Sequence, residues 1–138
     1  MTKILLVEDS KFLRLATERA LARAGYEVST AADGEDAVAK AREILPDLIL
    51  LDLLLPKVTG TDVLKALKKD PATAGIAVVV LTGMSQRNKD WLRRDGAFGF
   101  QGKSDLALDK GTEALLAAVA DFVRQLHLEV PAPAAHGH

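Results

Sequence analysis

The stretch DLILLDLLLP, residues 47–56, bears most directly on the fold of this chain. Asp47 to Leu51 is predicted to form a β-strand, and its apolar residues run on without polar alternation. Such a run is typical of a strand in a parallel sheet that helices cover on both faces. The strand ends in an acidic residue, Asp52, and Pro56 follows four positions later.

Comparable short runs, rich in leucine or β-branched residues, alternate with helix-length amphipathic segments five times along the chain. This alternation indicates βα units around a parallel sheet. We predict an α/β, doubly wound (βα)5 fold, a three-layer sandwich whose five-stranded parallel sheet has the order 2-1-3-4-5. The predicted strands are Lys3 to Val7, Tyr26 to Thr30, Asp47 to Leu51, Ala77 to Leu81 and Ala97 to Phe100.

Helices are predicted in the gaps between the strands and after the last one. The first begins near Ser10, a good N-cap, and stops at Gly25. We predict one domain over residues 1–127 and a disordered Pro/Ala-rich tail over residues 128–138. The other predicted helices are Gly34 to Leu45, Gly60 to about Asp70, Ser85 to Arg94, and a last helix with Leu115, Val119, Phe122 and Leu126 on one stripe.

The composition narrows the classes of function. The 138 residues, 49% of them hydrophobic, can bury one core of ordinary size. No run approaches the roughly 18 apolar residues needed to span a bilayer, and acids occupy the place of a signal peptide's apolar stretch, so we expect a cytoplasmic protein that does not engage membranes. A net charge of -1 argues against direct nucleic-acid binding. Because cysteine is absent, disulfides, thiolate metal sites and cysteine nucleophiles are excluded.

Acidic residues end two of the predicted strands. Glu8 and Asp9 follow the first strand, and Asp52 follows the third. In the predicted order these strands are neighbours, so their carboxyl ends bring three carboxylates to one edge of the sheet. Carboxylates that lie so close repel one another unless a cation lies between them. An all-oxygen site of this kind suits Mg²⁺, which also coordinates phosphate groups.

The position of Asp52 beside a metal site suggests phosphoryl chemistry. A carboxylate can attack phosphorus and form an acyl phosphate, and catalysis of that transfer consists mostly of positioning and charge neutralisation. Thr82, just past the fourth strand, offers a hydroxyl donor to a phosphoryl oxygen. Lys103, just past the fifth strand, offers a mobile positive charge. We therefore predict Asp52 as the phosphoryl acceptor.

These residues resemble the receiver domains of two-component response regulators, which have the chemotaxis-regulator-like form of the flavodoxin-like fold. The resemblance covers about residues 3 to 126. Five elements fall in the order of that family: VED at 7–9, LLDLLLP at 50–56, Gly60, LTG at 81–83, and Phe100 with Lys103.

The resemblance implies a signalling switch rather than an enzyme. A histidine kinase or a phosphotransfer protein would phosphorylate Asp52, and the phosphorylated state would be relayed to a downstream protein whose identity the sequence does not name. Asp9 and Asp52 would bind Mg²⁺ directly together with the backbone carbonyl of Leu54, and Glu8 would help through water.

The same resemblance implies roles for the residues at the ends of the fourth and fifth strands. Thr82 and Lys103 would hold the phosphoryl group, and Phe100 would be the aromatic switch residue whose ring moves inward when Thr82 is drawn toward the phosphate. The family usually follows this lysine with proline in a cis peptide, whereas Ser104 stands here. Because a non-proline cis bond costs about 3–4 kcal/mol, we expect an altered or mobile approach of Lys103 to the phosphate.

In the family that this chain resembles, the positions two beyond the acceptor and two beyond Thr82 border the attacking water. They are Leu54 and Met84 here. Neither side chain can orient a water, so the resemblance implies slow self-dephosphorylation.

Other readings of the sequence remain open. An aspartate-nucleophile phosphatase would carry DxD after the first strand, where this chain has Glu8 and Asp9. A flavodoxin-like cofactor carrier needs a first loop that attracts phosphate, and an acidic loop repels it. A receiver-like interaction module that is not phosphorylated is the third alternative.

Overall fold

The computed structural model of the chain describes residues 2–52, 60–82, 96–102, 111–128 and 130–131. Within these ranges the strands and helices follow the predicted order, and the predicted helix Ser85 to Arg94, between the fourth and fifth strands, lies outside them. The strands are β1 (Lys3–Val7), β2 (Glu27–Ala31), β3 (Leu48–Asp52), β4 (Ala77–Thr82) and β5 (Gly99–Gly102), and the helices are α1 (Lys11–Arg23), α2 (Gly34–Ile44), α3 (Gly60–Lys69) and α4 (Gly111–Gln125).

The five strands form one parallel sheet with the order β2-β1-β3-β4-β5, which confirms the predicted topology. The bounds of β1 are those predicted, whereas β5 begins two residues later than expected, at Gly99. Its pairing with β4 runs from Val79 opposite Gly99 to Thr82 opposite Gly102. The strand also ends two residues later than predicted, at Gly102. Glycine is disfavoured in strands, but backbone pairing needs no side chain, so Gly102 can belong to β5.

Two apolar clusters cover the two faces of the sheet, which gives the three layers. Consecutive residues of the central strands alternate between the clusters, as the pleat of a strand requires. Leu5 and Ile49 face the cluster that includes α2 and α3 residues, whereas Leu6 and Leu50 face the cluster that includes residues of α1 and α4. Because both faces of the central strands are buried, their residues Ile4 to Val7, Leu48 to Leu51 and Ala77 to Leu81 are all apolar.

The C-terminal residues that the structure describes continue this packing. Leu128 and Val130 lie partly buried against the cluster shared with α1 and α4. The backbone amide of Leu128 donates to the carbonyl of Val123, which turns the chain at the end of α4. Packing therefore extends past His127, where we predicted the domain to end, while residues 132–138 lie outside the described ranges. Among the described helices, none is both long and apolar enough to cross a bilayer.

Helix α2 ends in a left-handed residue that is not glycine. Leu45 has φ 48° and ψ 65°, and its side chain is 54% exposed. This backbone conformation costs roughly 1–2 kcal/mol for a residue with a Cβ, and glycine adopts it freely. We expect Leu45→Gly to be more stable than Leu45→Ala by about 1 kcal/mol in urea unfolding, because both remove the side chain and only one relieves the backbone. Equal stability of the two variants would contradict the assigned conformation.

Candidate functional site

The register of the sheet brings the acidic residues to one edge. Val7, the last residue of β1, pairs with Leu51 of β3, so Glu8 and Asp52 are the next residues on the two neighbouring strands. The amide of Glu8 donates to the carbonyl of Ala31 at 3.1 Å, which continues the β1–β2 pairing past the end of the strand. The backbone therefore holds Glu8 against β2 and beside Asp52 of β3 before any side-chain contact is considered.

Three carboxylates meet at this edge. Oxygen atoms of Glu8, Asp9 and Asp52 all lie within 4.8 Å of one another. The side chain of Asp52 is 1% exposed and that of Glu8 is 4% exposed, whereas Asp9 is exposed. Two of the acids are thus withdrawn from water, and the third is accessible to it. The predicted convergence of these residues is present in the structure.

The donor set fits a divalent cation with hard-ligand preferences. Its members are all carboxylate oxygens, close enough to reach one ion, and Mg²⁺ binds through one or two carboxylates while it keeps several waters. Bringing carboxylates this close without a cation is unfavourable, because like charges repel more strongly where water is excluded. Burial of Glu8 and Asp52 beside Asp9 therefore matches what a magnesium site requires.

The loop between β1 and α1 is held by contacts that the sequence pattern did not identify. The amide of Ser10 donates to Oε2 of Glu8 at 3.2 Å, and the hydroxyl of Ser10 accepts from the amide of Leu13 as the predicted N-cap. The guanidinium Nη1 of Arg14 donates to the carbonyls of both Glu8 and Asp9, at 2.9 and 3.3 Å.

The sequence places two cations, Lys11 and Arg14, in the first turn of α1, and it does not single out the arginine. A cation near the N-terminus of a helix opposes the helix macrodipole, and the first turn of α1 contains no acid that would offset it. Arg14 occupies such a position, so acceptors outside the helix would offset the unfavourable charge. The carbonyls of the acidic loop are those acceptors.

The remaining predicted site residues are described only in part or not at all. Thr82 ends β4, one position beyond the partner of Asp52, Leu81, so its backbone lies at the same edge of the sheet. Phe100 lies in β5, where its backbone pairs with Val80 of β4. The structure describes the backbone but not the side chains of Thr82 and Phe100. Four further residues lie entirely outside the described ranges: Leu54, Met84, Lys103 and Ser104.

Comparison with known proteins places this site in a family. A family model described as "Response regulator receiver domain" matches residues 4–104. The chain is 36% identical over 98 residues to protein PilH of Pseudomonas aeruginosa, which covers 70% of this chain and 81% of PilH. The solved structure of chemotaxis protein CheY4 of Vibrio cholerae matches with a TM-score of 0.77 and 33% identity, over 86% of this chain and 96% of that one.

Several relatives are longer proteins. The chain is 36% identical over 138 residues to the DNA-binding dual master transcriptional regulator RpaA of Synechocystis sp., and the match covers 99% of this chain but 54% of RpaA. It spans 37% of the transcriptional regulatory protein AfsQ1 of Streptomyces coelicolor and 19% of the response regulator PleD of Caulobacter vibrioides.

Receiver domains are phosphoacceptor signalling domains rather than enzymes in the ordinary sense. As a family they bind Mg²⁺ at an acidic pocket and interact with histidine kinases and downstream effectors. In this chain Glu8, Asp9 and Asp52 form an acidic cluster at one edge of the sheet. The fold, the acidic edge and the matched residues together show that the chain belongs to the receiver domain family of two-component response regulators.

Proposed function

We propose that this domain is a phosphorylation-dependent switch in which Asp52 accepts a phosphoryl group from a histidine kinase or a phosphotransfer protein. The observation that carries the proposal is the position of Asp52, which is 1% exposed and within 4.8 Å of the carboxylate oxygens of Glu8 and Asp9. Such a residue at the carboxyl edge of a parallel sheet is placed for chemistry rather than for solvation.

The transfer is a displacement at phosphorus. An oxygen of the Asp52 carboxylate attacks the phosphorus of a phosphohistidine, the P–O bond forms as the P–N bond breaks, and the released imidazole nitrogen takes up a proton. Asp9, Asp52 and the carbonyl of Leu54 would hold Mg²⁺, with Glu8 acting through water. When bound, the ion would offset negative charge on the phosphoryl oxygens, which is the main requirement of this reaction.

The response to phosphorylation is the second part of the proposal. Thr82 and Lys103 contact the phosphoryl group, Phe100 changes position with Thr82, and the altered surface binds a downstream protein. The apolar residues Leu54 and Met84 make self-dephosphorylation slow. We propose that the domain acts in the cytoplasm and does not itself bind nucleic acid, since its net charge is -1.

A small phosphodonor and control of the metal test the acceptor reaction. The full chain, incubated with acetyl phosphate and Mg²⁺, is expected to gain one phosphoryl group by intact mass, and to gain none in EDTA, because the three acids repel an incoming anion without the cation. No gain in Mg²⁺ would assign the chain to receiver-like interaction modules. Equal labelling in EDTA would remove the metal from the proposal, and catalytic turnover of phosphate monoesters would indicate the phosphatase alternative.

A further inference from the structure

We propose that Arg14 is a positioning residue for the acidic pocket, which fixes the carboxylates of Glu8 and Asp9 for the cation by holding their backbone carbonyls. This inference rests on the proposed function, since it assigns a role within the same metal site. It concerns a residue on α1 whose guanidinium donates to the backbone of the loop rather than to the carboxylates.

The contact geometry supports a restraint on the loop backbone. A single nitrogen, Nη1 of Arg14, lies 2.9 Å from the carbonyl oxygen of Glu8 and 3.3 Å from that of Asp9. Two consecutive carbonyls directed to one donor leave the peptide between them little freedom to rotate. Hydrogen bonds from a charged donor are stronger than neutral ones, so the restraint is substantial.

The restraint reaches the side chains through the backbone. The amide of Glu8 is held by the carbonyl of Ala31 and its carboxylate by the amide of Ser10, at 3.1 and 3.2 Å. With Arg14 on its carbonyl, Glu8 is held at three or more points among the described residues. Asp9 is exposed, and the contact from Arg14 to its carbonyl restrains the backbone from which its side chain extends.

Positioning and simple charge predict opposite signs for the effect of removing Arg14. If the guanidinium acted only as a positive charge near the pocket, its loss would tighten Mg²⁺ binding, because a like charge would be removed. If it positions the carboxylates, its loss weakens binding, since groups that orient metal ligands typically contribute about ten- to 100-fold to affinity. The geometry of two carbonyl contacts favours the second result.

The test is a Mg²⁺ titration of the metal-free full chain, followed by NMR through the backbone amide signals of residues 8–10. Arg14→Met, which keeps an apolar stem, is expected to weaken Mg²⁺ binding roughly tenfold. Arg14→Lys keeps a charged donor and is expected to lose about threefold or less. The matched control is Arg23→Met on the same helix, because the exposed guanidinium of Arg23 donates to the carbonyl of Arg19 and not to the acidic loop. This variant is expected to change Mg²⁺ affinity by less than about twofold.

A second readout needs no metal. In EDTA, the amide of Ser10 is expected to exchange with solvent at least roughly fivefold faster in Arg14→Met than in wild type, because its acceptor on Glu8 is no longer held in place. Amide exchange in the interior of the sheet should remain as in wild type, which distinguishes a local effect from global destabilisation.

The outcomes separate this inference from the proposed function. Mg²⁺ binding by wild type with equal or tighter binding by Arg14→Met would overturn the role of Arg14 and leave the metal site intact. Unchanged exchange of the Ser10 amide would also overturn it. The absence of any Mg²⁺-dependent shift in wild type would overturn the metal site itself and this inference with it.

Discussion

Replacing Asp52 with asparagine is expected to abolish phosphorylation by acetyl phosphate, with no phosphoryl mass gained under conditions that label the wild type. The amide nitrogen and oxygen of asparagine are poor nucleophiles, and the substitution keeps the size of the side chain. Because Asp52 is 1% exposed, retention of shape matters for the fold. Labelling of the variant equal to that of wild type would place the acceptor elsewhere.

The same substitution is expected to stabilise the metal-free protein. It removes one of three carboxylates whose oxygens lie within 4.8 Å, and the repulsion between them is relieved by about 1 kcal/mol. In EDTA this should raise the unfolding temperature by about 4 °C. Mg²⁺ should stabilise the wild type and leave the variant nearly unchanged, since the cation offsets the same repulsion.

A control variant separates the effect of the position of Asp52 from the effect of replacing any aspartate with asparagine. Asp121→Asn makes the identical change on the exposed surface of α4, where the carboxylate pairs with Arg124. We expect its phosphorylation to match that of wild type and its stability to change by less than about 0.5 kcal/mol, because exposed ion pairs contribute little. If Asp121→Asn were stabilised as much as Asp52→Asn, the gain could not be assigned to the acidic cluster.

Gly99→Ala is expected to destabilise the domain by roughly 1–3 kcal/mol, because the new methyl group overpacks the contact between β5 and α4. A Cβ at this position would lie 2.4 Å from Cε1 and 3.0 Å from Cζ of Phe122. The ring of Phe122 also meets the ring of Phe98 edge to face, with centroids 6.1 Å apart, so its displacement has a further cost. Alanine in a strand would otherwise stabilise by about 0.5–1 kcal/mol, and the clash outweighs that gain.

Urea unfolding of two further variants tests the cause. Gly75→Ala is the matched control, since a Cβ there meets nothing within 4 Å, and we expect it to be neutral or slightly stabilising. Gly99→Ala combined with Phe122→Leu should be more stable than the sum of the single effects predicts, because the smaller side chain removes the clash. Strict additivity of the two changes would mean that Phe122 is not the obstacle.

Much of the fold was predictable because its signals are local. The apolar runs within Lys3 to Val7 and Asp47 to Leu51 predicted strands buried on both faces, which the structure has at Lys3–Val7 and Leu48–Asp52. Ser10 predicted the start of α1 through its side-chain hydroxyl. The acidic pocket was predictable for a related reason. Residues that follow neighbouring parallel strands must meet at one edge, so Glu8 and Asp52 could be placed together from strand order alone.

The last strand shows where local signals fail. We predicted this strand at Ala97 to Phe100, so Gly102 fell outside it, yet β5 runs from Gly99 to Gly102. Gly99 is required by the ring of Phe122, which approaches from a helix that begins at Gly111. Because Gly99 and Phe122 lie far apart in the sequence, no periodic pattern of residues indicates that they are in contact.

A second tertiary contact was equally hidden. Lys68 reads as one more charged residue on the surface of α3, but its Nζ donates to the carbonyls of Ala74 and Ile76 at 3.1 and 2.6 Å. Burial lowers the pKa of this ammonium group. A Cβ on Gly96 would lie 2.6 Å from Cγ of Lys68. Gly96 also has a φ of 111°, a backbone conformation that favours glycine.

The sequence by itself determined the order of strands and helices, the parallel sheet and the convergence of Glu8, Asp9 and Asp52. Apolar patterning and strand ends are sufficient for these, because burial on two faces and the shared edge of parallel strands follow from chain direction and hydrophobicity. Only the tertiary structure decided that Arg14 holds the acidic loop and that Phe122 lies against Gly99. Those contacts depend on the distances and angles at which packed elements meet, and residue type alone does not encode them.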